Sequence, residues 1–237
     1  MRRPCFVDTR LRLMGKRTGL TQGVNMDTSF WHQRWNTNEI PFHELAVNQQ
    51  LLKHFSALSL AKAGRVFVPL CGKSLDIGWL LSRGHAVAGA ELSEIAVQQL
   101  FSELGMEPSI VALGSLRHYC GQKIDIFVGD IFQVSCEMLG PVDAVYDRAA
   151  LVALPAEVRQ RYAAHLMKIT ATARQLLICY EYDQALQAGP PFSVDRDELY
   201  RHYRESYRLT LLNSADVAGG LKGKCPAKEN VWLLNKW

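Results

Sequence analysis

From residue 65 onward, short apolar runs alternate with longer stretches whose apolar residues recur at helical spacing. RVFVPL, HAVAGAE, KIDIFVGD, VDAVYD and QLLICYEY read as strands, and residues 74–83, 93–104 and 155–172 between them read as helices. Strands that are apolar on both faces are covered on both faces, so the alternation predicts a parallel sheet between helical layers, a doubly wound α/β sandwich. Upstream, SFWHQRW predicts a short helix with Trp31 and Trp35 four apart on one face, and IPFHE breaks it. Residues 44–60 read as an amphipathic helix, with Leu45, Leu51, Leu52, Phe55 and Leu58 near helical spacing. Downstream, Asp195-x-x-Glu198 has the form of a capping box opening a helix to about residue 204. YRLTLLNS and ENVWLLNKW, joined by AGGLKGKCPAK, predict a C-terminal antiparallel hairpin at one sheet edge, for about seven strands. No repeat or linker divides residues 26–237, which are expected to form a single domain.

Composition narrows the function classes. The chain has 237 residues, 48% hydrophobic and 21% charged, which suits one soluble enzyme domain. No apolar stretch approaches the roughly 18 residues of a membrane span, so no membrane association is expected. The net charge of +4 is uneven: residues 1–25 carry six basic residues against Asp8, or +5, which leaves 21 basic and 22 acidic residues, or −1, in the remainder. A near-neutral body without a basic stripe argues against nucleic acid as a partner. The first 25 residues lack the apolar core of a secretory signal. Their Arg-rich, acid-poor composition resembles a transit peptide weakly; the plainer readings are a disordered leader or an upstream start, with Met26 as the functional beginning. The six cysteines form no C-x-x-C pair, which suits reduced thiols in a cytoplasmic protein. His32, His43 and His85 lack ligand spacing, and no metal is expected.

The stretch PLCGKS raises a specific question, since Gly72-Lys73-Ser74 could end a phosphate loop. Such a loop needs G-x-x-x-x-G-K-[ST], and here the first glycine position is Phe67, inside the strand. The dinucleotide pattern G-x-G-x-x-G fails too, because the later positions are Ser74 and Ile77. What remains is Glu91, 19 residues after Gly72 at the end of the second strand, where an acid can accept hydrogen bonds from both ribose hydroxyls of an adenosine. The alternative for Glu91 is a solvated helix cap before Ser93. A cofactor with adenosine but no phosphate fits these facts, and S-adenosylmethionine is such a cofactor. Asp130 follows the third apolar strand, where Asp130 and Ile131 could flank an adenine or simply make a turn. Cys71 has no evident histidine partner and is not read as a nucleophile.

Four stretches together resemble the thiopurine S-methyltransferase family: FWHQRWNTNEIPFHE, VFVPLCGKSLDIGWLLSRGHAVAGAELS, VDAVYDRAALVALP and GPPFSV. The resemblance covers essentially all of 26–237 and implies a Rossmann-like, S-adenosylmethionine-dependent methyltransferase acting on an aromatic or heterocyclic thiol. Similar bacterial proteins are also associated with methylation of selenium and tellurium species. The resemblance implies that Trp35, Leu70, Glu91 and Arg148 contact the cofactor, with Asp130 and Ile131 on its adenine side. It implies that Trp31 and Phe42 cover cofactor and substrate. Arg148 leaves the strand VDAVYD at its carboxyl edge, where a cation needs an anionic partner. The candidates are the methionine carboxylate and a substrate thiolate, which would make Arg148 catalytic, or else a salt bridge to Asp147 or Glu181. The chain departs from the family before its last strand: Lys222 or Lys224 stands where an arginine can approach the substrate mouth. A monomer with a small-molecule partner is expected. Two rival readings are a non-catalytic adenosine- or nucleotide-binding module and a magnesium-dependent nucleotide phosphotransferase.

Overall fold

The chain enters on α1 (Thr28–Asn36) and α2 (Gln49–His54), the latter continued by a 3-10 turn over Phe55–Leu58. Strands and helices then alternate through β1 (Arg65–Pro69), α3 (Leu75–Ser82), β2 (Ala86–Glu91) and α4 (Glu94–Glu103). A hairpin of β3 (Ser109–Leu113) and β4 (Leu116–Gly121) leads into β5 (Ile124–Val128), α5 (Cys136–Leu139) and β6 (Ala144–Arg148). The last elements are α6 (Ala156–Ile169), β7 (Arg174–Tyr182), α7 (Arg196–Tyr203), β8 (Tyr207–Asp216) and β9 (Ala227–Lys236). This computed structural model describes residues 28–237, so the expected leader 1–25 and the start at Met26 lie outside the described residues.

The strands form one nine-stranded sheet in the order β3-β4-β5-β2-β1-β6-β7-β9-β8. The central five, β5-β2-β1-β6-β7, are parallel. The pairs at both edges are antiparallel. From β1 the chain winds outward through β2 to β5, then returns to β6 and winds the other way. The strand order therefore reverses between β1 and β6, and a crevice opens at their carboxyl ends.

Each sheet face carries its own apolar layer. One contains Phe67, Val145, Leu139, Tyr162, Leu166 and Leu199, joining the sheet to α5, α6 and α7. The other contains Val66, Leu51, Ile77, Leu80, Val97 and Phe101, joining it to α2, α3 and α4. Side-chain oxygens cap the helices where polar residues precede apolar runs: Ser74 accepts from Asp76 N–H, Ser93 from Ala96 N–H and Asp195 from Glu198 N–H. Only half of the expected capping box forms, because the Glu198 carboxylate turns to Arg159 Nε and Nη2 at 2.5 and 2.8 Å.

Two expectations need correction. Residues 44–48 are not helical: α2 starts at Gln49, where the Asn48 side chain accepts from Gln50 and Leu51 N–H. Leu45 is consequently 92% exposed, although its spacing placed it on an apolar face. The sheet also has two strands beyond the seven expected, β3 and β4. Ile110 and Val111 of β3 are exposed, so this edge strand lacks the alternation that marks a half-buried one.

Candidate active site

The carboxyl ends of β1 and β6 both turn sharply. Leu70 (φ 45°) and Ala149 (φ 61°), each directly after its strand, hold the left-handed backbone that side chains disfavour. Two such residues on neighbouring strands, at about 1–3 kcal/mol each, shape the mouth of the crevice. After Leu70, Cys71 N–H still bonds to Ala90 C=O at 3.0 Å, and Gly72 N–H donates to Glu91 Oε2 at 2.7 Å. Ser93 N–H donates to the other oxygen, Oε1, at 2.8 Å.

Glu91 is 6% exposed, and burial raises its carboxyl above the usual range although the backbone donors at Ser93 and Gly72 pull it down. A carboxylate offers about four lone-pair positions, and these donors use one on each oxygen. The remaining acceptor capacity, in a dry setting at the strand end, fits a vicinal diol. Beside it, a Cβ on Gly89 would stand 2.7 Å from Ile126 Cδ1 and 2.9 Å from Cys71 Sγ. Cys71 thus folds back over β2. Burial, then the Glu91 charge, pushes its thiol well up, which makes it inert.

The other two residues of the apparent phosphate loop are committed elsewhere. Lys73 Nζ pairs with Glu103 Oε1 at 2.7 Å, and Ser74 caps α3. A triphosphate reading is left without its cation, its hydroxyl and its first glycine.

The segment from α1 to α2 lies over the crevice. Trp35 is buried against the first loop: a Cβ on Gly72 would meet its Cζ2 at 3.1 Å, so Gly72 is needed for contact as well as for its φ of 52°. Phe42 joins the tryptophans edge to face, 5.6 Å from Trp31 and 5.7 Å from Trp35. Arg148 reaches up from β6 to the same segment. Its Nη1 donates to Phe42 C=O at 3.2 Å, and its Nη2 pairs with Glu44. The anionic partner of Arg148 is therefore neither Asp147 nor Glu181. Asp147 is fully buried and accepts from Leu151 N–H at 3.1 Å and Tyr162 O–H at 2.7 Å. Glu181 accepts from Asn230 Nδ2 at 2.9 Å.

Sequence reasoning missed Glu44 because it fell at the head of a predicted helix. The signal available was an acid between the helix-breaking Pro41 and the strong cap residue Asn48. Asn48 Nδ2 steadies Glu44 at 3.3 Å, Asn48 N–H donates to Asp76 Oδ1 at 2.8 Å, and Asp76 Oδ2 accepts from Tyr146 O–H at 2.9 Å. The covering segment is thus wired to β6 at two points, Tyr146 and Arg148. Between Phe42 and Glu44, burial and then the nearby Lys73 charge lower the pKa of His43.

The structure brings Trp31, Trp35, Phe42, Leu70, Glu91 and Arg148 to one end of the sheet. Asp130 and Ile131 lie past β5, on the far side of Glu91, tied to it by Gly129 N–H on Glu91 C=O at 2.8 Å. Asp130 Oδ1 accepts from Phe132 N–H at 3.0 Å, which is the turn role, while Ile131 packs into the core layer. Lys222 donates to Pro190 C=O at 2.6 Å and is committed to that turn; Lys224 has no ion pair among the described residues. The depression of about 590 Å³ near Ala57, Thr172 and Arg174 is at the opposite end of the sheet and offers no carboxylate, histidine or cysteine.

Burial lifts Asp147 from 3.8 to about 6, against the pull of Leu151 N–H and Tyr162 O–H. The folded state therefore holds the proton more tightly, and this group's contribution is fully present below about pH 4 and lost as pH rises through 6. His43 and His165 titrate nearby with lowered pKa values and opposite sign. The readout is thus a difference: from pH 7 to 4, wild type should gain on the order of 2 kcal/mol relative to Asp147→Asn in denaturant melts. Parallel pH profiles for the two proteins would contradict the assignment.

The sequence profile of the family described as Thiopurine S-methyltransferase (TPMT) matches residues 26–236. A thiopurine S-methyltransferase of Xanthobacter autotrophicus is 54% identical over 212 residues, covering 89% of this chain and all of that one. One of Teredinibacter turnerae is 52% identical, covering 89% and 98%. Among solved structures, the Burkholderia thailandensis 1,6-didemethyltoxoflavin-N1-methyltransferase, with its substrate and S-adenosylhomocysteine bound, superposes with a TM-score of 0.60 at 15% identity, covering 88% and 87%. The magnesium protoporphyrin IX methyltransferase of Synechocystis gives 0.57 at 13% identity, covering 88% and 100%. These structural likenesses establish the Rossmann-like methyltransferase fold.

Proposed function

The chain belongs to the thiopurine S-methyltransferase family, and from that premise we propose that the crevice between β1 and β6 transfers a methyl group from S-adenosylmethionine to the sulfur of an aromatic or heterocyclic thiol. The enzyme is an S-adenosylmethionine-dependent S-methyltransferase. The observation that carries the location of the site is Glu91, a buried carboxylate that bonds the first loop and retains acceptor capacity at the strand end.

S-adenosylmethionine, when bound, supplies an electrophilic methyl group on a sulfonium. Glu91 would hold the ribose hydroxyls, with Leu70 and Trp35 lining the same pocket, and Asp130 and Ile131 would lie on the adenine side. Trp31 and Phe42 cover the crevice and exclude water, which strengthens the electrostatics beneath them. An aromatic thiol is substantially ionised near neutral pH, so no strong base is required. Arg148 favours the anion through preorganised charge and forked donors. Glu44 and Phe42 C=O fix the guanidinium plane, so Glu44 is a positioning residue.

Incubating the protein with S-adenosylmethionine and a thiol panel, with selenium and tellurium oxyanions as a second arm, tests the reading by mass spectrometry of methylated products. Methylated aromatic thiols are expected. Cofactor binding without turnover on any thiol would favour the binding module. We also infer a monomer in the cytoplasm that engages small molecules and no nucleic acid. No helix among the described residues is long and apolar enough to cross a membrane.

Glu44 is 41% exposed on its side chain, so its pair with Arg148 adds only about 1 kcal/mol to stability. Glu44→Gln should leave the melting temperature nearly unchanged yet lower kcat/KM about fivefold, roughly 1 kcal/mol of transition-state stabilisation. Glu44→Asp, too short to bridge, should behave alike. Wild-type kcat/KM in both variants would remove Glu44 from the site.

A further inference from the structure

At the amino end of the sheet, away from the crevice, three side chains of different chemistry meet across a strand pair. Cys120 of β4 stands opposite Asp125 of β5, and His118 opposite Phe127. Residues two apart on a strand share a face, so His118, Cys120 and Asp125 project to one side. His118 Nε2 is 3.2 Å from Asp125 Oδ1, Cys120 Sγ is 3.2 Å from the imidazole nitrogens, and the three donor atoms lie within 4.8 Å of one another. The imidazole stacks on Phe127 with centroids 4.6 Å apart and 4° between planes, which fixes its orientation.

We propose that His118, Cys120 and Asp125 form a binding site for a zinc(II)-class divalent cation, with water completing the coordination. One thiolate, one imidazole and one carboxylate make a borderline-soft donor set that suits zinc better than calcium or magnesium. Zinc bonds of about 2.0–2.3 Å in tetrahedral geometry place ligand atoms roughly 3.3–3.6 Å apart. The separations from the imidazole are of this order, but a sulfur equidistant from both ring nitrogens lies over the ring, so Cys120 must rotate to share a metal with His118 Nε2 and Asp125. All three ligands stand on paired strands, so little backbone order remains to be created on binding.

The second oxygen of Asp125 accepts from Arg65 Nη2 at 3.0 Å, and Arg65 Nη1 donates to Pro141 C=O at 3.2 Å and to Leu139 C=O. That arrangement orients the carboxylate and leaves Oδ1 for the cation, as outer partners do in metal sites. Without a cation the triad can satisfy itself by hydrogen bonds, with Arg65 balancing the Asp125 charge; this is the competing account. On binding, the Cys120 S–H bond breaks, the sulfur–metal bond forms and the proton leaves to solvent. Asp125 lies three residues before Val128, the partner of Glu91, so the site is about 10 Å along the strands from the methyl-transfer crevice. Its role is to clamp the β3–β4 hairpin to the parallel sheet. Neither helical His spacing nor C-x-x-C describes an H-x-C on one strand with an aspartate across from it.

The test uses the full chain after dialysis against chelator. Titration with Co²⁺ should give one equivalent bound with a sulfur-to-cobalt charge-transfer band, displaced by Zn²⁺. The band should vanish in Cys120→Ala, and His118→Ala should weaken Zn²⁺ binding at least about tenfold, with methyl transfer unchanged in both. Should a variant fold poorly, alkylation of wild type mapped by mass spectrometry decides: Zn²⁺ should protect Cys120 and leave the exposed Cys136 reactive. No stoichiometric binding by wild type, a charge-transfer band surviving in folded Cys120→Ala, or an unprotected Cys120 would each overturn the proposal.

Discussion

Glu91→Ala should weaken S-adenosylhomocysteine binding at least about a hundredfold, the largest effect expected of any single change at the site. Two charge-assisted hydrogen bonds to the ribose, at about 1.5–3 kcal/mol each, sum to roughly 3 kcal/mol or more. The substitution also frees Gly72 and Ser93 N–H, so affinity alone would not separate a ribose contact from a loosened loop. Deoxyribose analogues of the cofactor product make that separation. Wild type should lose affinity for them, whereas the variant, already without its acceptor, should bind ribose and deoxyribose forms alike. Equal discrimination by the two proteins in calorimetric titration would sink the assignment and leave Glu91 as a loop anchor.

Arg148→Lys is expected to lose at least about tenfold in kcat/KM, roughly 1.4 kcal/mol, and Arg148→Ala about a hundredfold, with the fold intact. Arg148 holds Phe42 C=O and Glu44 together, and a lysine ammonium keeps the charge but not the planar fork. If the guanidinium stabilises a thiolate, the penalty in the lysine variant should grow as the thiol becomes less acidic. A flat penalty across a thiol series would mean that Arg148 serves only to hold the covering segment. A lysine variant with wild-type kcat/KM would falsify both roles.

The contrast between Glu91 and Arg148 shows how legible the site was. Glu91 could be found by position, because an acid at the end of the second strand of a doubly wound sheet has few places to go. Its bond to the first loop followed from parallel pairing of β1 and β2. Arg148 was equally visible as a cation at a crevice, but its partner was not. Asp147 is adjacent in sequence, yet successive strand residues face opposite sides, and Asp147 points into the core while Arg148 meets a residue 104 positions upstream. The same limit hid the cross-strand group of His118, Cys120 and Asp125.

By itself, the sequence determined the alternation of strands and helices from residue 65, the doubly wound class and the helix cap at Asp195. Those features rest on periodicity and local hydrogen bonding, which are properties of neighbouring residues. Tertiary structure decided the break at residues 44–48, the exposed edge hairpin of β3 and β4, the pairing of Glu44 with Arg148 and the seat of Trp35 on Gly72. Each depends on which distant surfaces meet. A short segment of weak helical preference is settled by the surface it lands on: Asn48 caps α2 from outside, and Glu44 with Phe42 C=O meets the half-buried guanidinium of Arg148.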